Sequence, residues 1–271
     1  MHNTKTIPIR RMVLVVNEVK QNVQQQLPSI LENCNRVGIQ TTTHPLSQLD
    51  TLKTDDYDAI VSVGGDGTLL SVVPYALATK KTIIGVNCGR LGFLTMYSVE
   101  DFVQALPLFL QGNYKTVRRH ILQAQTCDRT TFFALNDIVI KSKALRLVPL
   151  DVYLSSGVWV THARSDGMIF CTSTGSTAYN LSAHGPVLHP SSSTWCMTPI
   201  CPHDFFNRTL VFDNSIHLYV KTKEDVEVVV DGKKLPDIKL PLTLGIAKKT
   251  ISFTQPDNFS YFENLRTKFN W

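Results

Sequence analysis

The sequence predicts an α/β N-terminal domain with a parallel Rossmann-like sheet, followed by a mainly antiparallel all-β C-terminal domain. Three observations predict it. Apolar runs alternate with helix-permissive segments over residues 1–114, the pattern of repeated β-α units. After Tyr114 the helical segments give way to short β-rich runs separated by turn signals over residues 115–250. The final stretch, 251–271, returns aromatic and basic residues at helical spacing and is expected to pack back on the first domain.

The elements follow in order. "MVLVVN" (12–17) is a continuous apolar run, suited to a strand covered on both faces. The polar segment around "QNVQQQLPSILENCNRV" reads as a helix. "YDAIVSVGG" (57–65) is a second strand, and "GTLLSVVPYAL" is the helix after it. "KTIIGVN" (81–87) is a further strand. "SVEDFVQALPLFLQ" (98–111) is a helix capped by Ser98, with Asp101 three residues on. In the second half, "FALNDIVI", "LDVYLSS", "VWVTHA", "GMIFCTS", "IHLYVKT", "VEVVVDG" and "LTLGIA" read as strands, with turns at Ser155-Ser156-Gly157 and Asp231-Gly232.

Composition narrows the function classes. The 271 residues are 43% hydrophobic and 18% charged, enough apolar material for two cores. A net charge of +5 suits an anionic small substrate but comes without the dense Lys/Arg clusters of a nucleic-acid binder. No stretch approaches the roughly 20 apolar residues of a membrane helix, and the start, "MHNTKTIPIRRMVLVVN", reads as a strand rather than a signal peptide. Six scattered cysteines form no CxxC pair, so they are expected to be reduced, mostly buried thiols in a cytoplasmic protein, with no protein metal site.

Chemistry concentrates in a few segments. In "IVSVGGDGTLLSVV" (60–73) an apolar run ends in glycines that permit positive φ and close approach, and a helix begins whose first amides favour an anion. Gly64, Gly65, Gly67 and Thr68 therefore form a candidate phosphate turn, although neither GxxxxGK[ST] nor GxGxxG is present. Asp66 in its centre needs compensation. It either takes a proton from an attacking hydroxyl, meets a divalent cation on the phosphates, or caps its own helix in an Asx-type turn. A second cluster, "DGMIFCTSTGSTAYNLSAHGP" (166–186), offers hydroxyl and amide donors, with Tyr179 as a stacking face and Asp166 as an acceptor; a polar loop capping a short helix is the bland alternative. Asn136-Asp137 is a polar pair within an apolar strand, which fits either hydroxyl recognition or a bulge.

Taken together and in this order, "GGDGT", "NCGRLGFLT" (87–95), "NDIVI", "RSDGMIFCTSTGSTAYNLSAHGPVLHP", "TPICPH" (198–203) and "VVVDGKK" resemble the NAD kinase family across about residues 12–250. The resemblance implies transfer of the γ-phosphoryl of ATP to the 2′-hydroxyl of the adenosine ribose of NAD, giving NADP, with a divalent cation, Mg²⁺, accompanying ATP. It implies Asp66 as base, Gly67 against the dinucleotide and Phe93 on the adenine side. It implies Asn136 and Asp137 as an Asn-acidic pair on ribose, and Arg164 and Asp166 near the bound dinucleotide. Thr174, Ser176, Thr177, Ala178, Tyr179, Asn180, Leu181 and Ser182 fall in the block that surrounds NAD. It also implies a homodimer or homotetramer with NAD and ATP as partners, while the composition leads one to expect no nucleic-acid or membrane partner.

Four positions depart from the family pattern: Ser173 replaces a proline, Ser165 and His184 replace glycines, and Lys233 replaces a common glutamine. The glycine losses are tolerated where φ is negative. Two other functions compete. A lipid kinase shares the glycine-Asp turn but not "TGSTAY", and a catalytically inactive NAD(P)-binding sensor is motivated by the departures.

Overall fold

The computed structural model describes residues 6–90, 92–144, 146–204 and 207–270; Leu91 of the "NCGRLGFLT" motif and Trp271 of the C-terminal segment lie outside them. Two compact units divide the chain, Met1–Arg118 with Ile251–Trp271, and Arg119–Thr250.

In the first unit, β1 (Arg11–Val16), α1 (Gln21–Arg36), β2 (Gln40–Pro45), β3 (Ala59–Gly64), α2 (Asp66–Thr79), β4 (Thr82–Asn87), β5 (Tyr97–Ser98) and α3 (Val99–Gln111) follow in order. The strands run parallel as β2-β1-β3-β4. β3 is buried along its whole length, which is why it reads as an unbroken apolar run. One sheet face is packed by Val23, Ile30 and Cys34 of α1 with Phe102, Leu106 and Phe109 of α3. Leu69, Val72, Val73 and Ala76 of α2 are buried against β3 and β4. Ser98 caps α3 in a reciprocal box, accepting from the Asp101 amide at 3.0 Å. β2, "QTTTHP", carries no apolar alternation; as an edge strand it needs none, and the sequence did not announce it.

Connectivity creates the feature that matters. The chain steps from β1 outward to β2, then returns to β3 on the other side of β1 and continues to β4. The carboxyl ends of β1 and β3 therefore flank the point where strand order reverses, the place where open parallel sheets bind ligands.

In the second unit come β6 (Lys115–Thr126, entering from the first), β7 (Thr131–Ala134), β8 (Asp137–Ser142), β9 (Val148–Leu154), β10 (Trp159–Ser165), β11 (Gly167–Thr172), α4 (Tyr179–Ser182), β12 (Thr194–Ile200), β13 (Leu210–Asp213), β14 (His217–Lys221), β15 (Val226–Val230), β16 (Lys233–Lys234) and β17 (Leu242–Gln255). One antiparallel sheet runs β13-β12-β11-β8-β15-β16; β10-β9-β14-β17 form a second antiparallel set. Ile138, Ile140 and Phe170 from the first meet Leu150, Val152, Leu218 and Leu244 from the second, with Trp195 among them. Burying each such side chain stabilises the unit by about 1.5–3 kcal/mol. The expected single strand "FALNDIVI" is two strands: the backbone bends at Leu135 and Asn136 between β7 and β8. The chain returns to the first unit through the end of β17, where Phe253 pairs parallel with Ile83, and closes with α5 (Tyr261–Phe269). All six cysteines are free thiols; Cys34, Cys88, Cys171 and Cys196 are buried. Among the described residues no helix is long and apolar enough to cross a membrane.

Candidate active site

The turn after β3 is shaped by close contact rather than by unusual dihedrals. None of Gly64, Gly65 and Gly67 has positive φ, which corrects the expectation that glycine serves φ here. A Cβ on Gly64 would instead run into Thr68, lying 2.9 Å from its Cβ. Gly65 is the N-cap of α2 and provides no side-chain cap, so the first-turn amides remain open to an anion.

Asp66, the first residue of α2, does not cap its own helix, so the Asx-turn alternative is also corrected. Its Oδ2 accepts from the Phe93 amide at 2.8 Å. Oδ1 accepts from the amides of Leu94 and Thr95 at 3.1 and 2.9 Å, and from the Thr95 hydroxyl at 2.9 Å. Three consecutive amides thus form a nest for this carboxylate. Gly92 must lack a side chain, because a Cβ there would overlap the Asp66 carboxylate, 2.6 Å from its carbon. From α5, Asn264 donates to the Gly92 carbonyl at 2.9 Å, and Phe269 lies 5.6 Å from the Phe93 ring. Phe93 thus packs on the C-terminal helix and is half-buried.

Across the switch point, Asn17 at the end of β1 donates to the Thr68 hydroxyl at 3.2 Å. Lys20 is the N-cap of α1, which likewise has no side-chain cap. The Lys20 ammonium lies 3.4 Å from where a Gly65 Cβ would stand, and it joins no ion pair among the described residues. The uncapped start of α2 and a cation that is unpaired among the described residues therefore meet at the glycine turn. Asn17, Lys20, Gly92, Thr95 and Asn264 were missed; "NEVK" directly after the first strand was the available signal for the first two.

In the second unit the bend at 135–137 is tied from two sides. Thr172 donates its hydroxyl to the Leu135 carbonyl at 2.6 Å and its amide to the Asn136 carbonyl at 2.9 Å. Asp231 accepts from the amides of Leu135, Asn136 and Asp137 at 2.7, 2.8 and 3.1 Å. "NDIVI", "TGSTAY" and "VVVDG" thus meet in space. Asp137 is 6% exposed, and burial, with Asp231 adding, pushes its carboxyl up to about 7.

The "TGSTAY" loop divides into inward and outward groups. Asn180 is fully buried: its amide donates to the Ser176 and Pro186 carbonyls at 3.0 Å each and its oxygen accepts from Thr198 at 2.6 Å. The Ser176 hydroxyl donates to Ser173 at 2.8 Å and accepts from the Leu188 amide at 3.0 Å. The polar side-chain atoms of Asn180 and Ser176 are thus engaged inside the loop. The Thr174 hydroxyl is buried without a partner, Thr177, Ala178 and Leu181 are half-buried, and Tyr179 and Ser182 are exposed. His184 adopts φ 60°, in the left-handed region, where the glycine loss is strained rather than free.

Arg164 and Asp166 do not join this cluster. Both are exposed beside Gly167, whereas Thr172 ends β11 at the loop; a strand of this length separates its ends by roughly 17 Å.

A glycine-aspartate turn at the switch point of a parallel sheet, with a hydroxyl-rich loop on a following β unit, fits a nucleotide-dependent kinase. The family description "ATP-NAD kinase N-terminal domain" matches residues 4–114, and "ATP-NAD kinase C-terminal domain" matches 135–252. An NAD kinase from Caldicellulosiruptor bescii is 34% identical over 259 residues, covering 94% of this chain and 97% of the relative. One from Ralstonia nicotianae is 38% identical over 224 residues, 79% of this chain and 74% of the relative. Among solved structures, an NAD kinase from Archaeoglobus fulgidus in complex with ATP superposes with TM-score 0.77 at 26% identity, covering 96% of this chain and 97% of that one. Yeast NADH kinase complexed with NADH shares the fold, with TM-score 0.81 at 20% identity over 97% and 89% of the two chains. The chain belongs to the NAD kinase family. These relatives lend no support to the lipid-kinase or inactive-sensor readings.

Proposed function

We propose that the chain moves the γ-phosphoryl of ATP to the 2′-hydroxyl of the adenosine ribose of NAD, giving NADP and ADP. The observation that carries this is the seat of Asp66. Its carboxylate is held by amides from outside its helix, which leaves the α2 first-turn amides free for phosphate while an acceptor stays beside them. Oδ1 is saturated, but Oδ2 takes a single amide and keeps a lone pair for a hydroxyl. A phosphate cradle carries its own anion because the group to be phosphorylated must give up its proton there. Asp66 orients the hydroxyl and receives that proton late, while the α2 amides and Lys20 stabilise charge on the transferring group.

Asn136, Asp137, Thr174, Thr177 and Tyr179 are the proposed dinucleotide contacts of the second unit. Among the described residues no cluster of His, Cys, Asp and Glu forms a metal site, and Asp66 has one open acceptor at most. The divalent cation is accordingly placed with the triphosphate, as part of the substrate. Arg164 and Asp166 lie beyond the end of β11 that is remote from their own chain's loop, so we place them at the site of a second copy in a homo-oligomer.

The test is NADP formation from NAD and MgATP, read by an NADP-specific coupled dehydrogenase, with NADH and polyphosphate as alternative acceptor and donor. No product from any pairing rejects the proposal. Mixing inactive Asp66→Asn with inactive Asp166→Ala should restore activity if the second copy supplies Asp166; no recovery in a mixed oligomer removes that assignment.

A further inference from the structure

We propose that Asp231 is the positioning residue of dinucleotide binding: by filling the amide nest of Leu135, Asn136 and Asp137 it fixes the bend and leaves the Asp137 carboxylate as the open acceptor for a ligand hydroxyl. The proposal rests on the reading of Asn136–Asp137 as dinucleotide contacts.

The geometry is closed on one side and open on the other. Oδ2 of Asp231 takes the Leu135 amide and Oδ1 takes those of Asn136 and Asp137, while the Asp231 amide donates back to the Asp137 carbonyl at 3.0 Å. Asp231 makes these contacts in a left-handed conformation, φ 45°, followed by Gly232 at φ 80°. Such a turn is strained for a non-glycine residue and is held here by four hydrogen bonds. By contrast, no described residue donates to the Asp137 carboxylate, although it is buried. A buried carboxylate without donors is unfavourable within the protein alone, and a ligand hydroxyl relieves it.

Charge follows the same asymmetry. Burial raises both carboxyls, but three amides offset part of the rise at Asp231 and none does at Asp137, which favours the proton on Asp137. The titratable and charged groups facing the pair are Lys233, which favours ionised Asp231, and Cys171, across the β8–β11 ladder from Asp137. The Cys171 thiol, hydrogen-bonded to the Cys196 thiol and buried, is held well above its ordinary value and stays neutral. Asp231 is thus the charge that governs when Asp137 ionises. Ionised Asp137 accepts a ligand hydroxyl more strongly than the protonated group, so dinucleotide capture weakens as pH falls below about 7.

The experiment compares Asp231→Ala with Asp231→Asn, which keeps a carbonyl acceptor but loses the charge. Asp231→Ala should raise KM for NAD about 10-fold or more while KM for ATP stays within about 2-fold. Asp231→Asn should recover much of that loss and move the acidic limb of kcat/KM for NAD down by about one pH unit. Carboxyl-carbon NMR of ligand-free protein should show the Asp137 titration moving down in step. Equal rises in both KM values, or an unmoved Asp137 titration in Asp231→Asn, overturns the proposal. If the unmodified chain binds no NAD, the functional reading falls and takes the ligand role with it; a moved NMR titration then locates the failure in function rather than in the carboxylate pair.

Discussion

Two aspartates, one in each unit, occupy the same kind of seat. Asp66 and Asp231 each precede a glycine, and each is held by three consecutive amides of a distant segment, 93–95 and 135–137. Their surroundings differ. Asp66 opens a 14-residue helix whose positive end favours an anion, with Lys20 nearby. Asp231 sits in a left-handed turn beside a second buried carboxylate. One nest thus serves two purposes. At a helix start it holds a hydrogen-bond acceptor beside open phosphate donors; beside another buried carboxyl it favours the proton on the partner.

The largest effect is expected at Asp137. Its carboxyl ionises at 3.8 when unfolded and near 7 when folded, so between these values the native state holds the extra proton. Stability therefore falls as pH rises through that window. Asp137→Asn should match the parent below pH 4 and exceed it above pH 7, by at most about 4 kcal/mol in denaturant unfolding, while losing NAD affinity. Equal pH dependence of the two proteins would remove the buried-charge account. Gly92→Ala attacks the other seat, since its Cβ overlaps the Asp66 carboxylate. It should cost about 1–3 kcal/mol of stability and reduce kcat about 10-fold or more. An unchanged kcat would mean that the seat of Asp66 can shift freely. Lys20→Met should raise KM for ATP by about 3- to 10-fold at low salt, and less at high salt, because exposed charge is screened. A salt-independent effect would argue for a structural role. The smallest effect belongs to His184→Gly: relief of the left-handed strain should add about 1 kcal/mol of stability without altering kinetics.

What was legible in the sequence was local. The β-α alternation, the buried run of β3 and the Ser98–Asp101 cap depend on neighbours in the chain, and each stands in the structure. The glycine turn and the "TGSTAY" loop were visible as patterns, but their partners were not. Asp66 bonds a segment 27 to 29 residues away, and Asp231 reaches back 94 to 96. No local periodicity encodes such pairs. The same limit explains the inward turn of Asn180, which looks like its exposed neighbour Tyr179 until Thr198 is folded beneath it. It also explains Arg164 and Asp166, close in sequence to the loop yet placed at the other end of a strand. The glycines were found for the wrong reason, because steric contact with Thr68 cannot be read without the helix in place.

Asp66, seated from outside its own helix, is assigned to serve the phosphoryl acceptor. The direct measurement is NADP formation from NAD and MgATP by the unmodified protein and by Asp66→Asn, with NAD affinity and thermal stability recorded for both. In the variant kcat should fall by at least about 10²-fold, with NAD affinity nearly unchanged. Near-parental turnover in a stable Asp66→Asn protein would contradict it, leaving Asp66 only the fastener of the 93–95 segment.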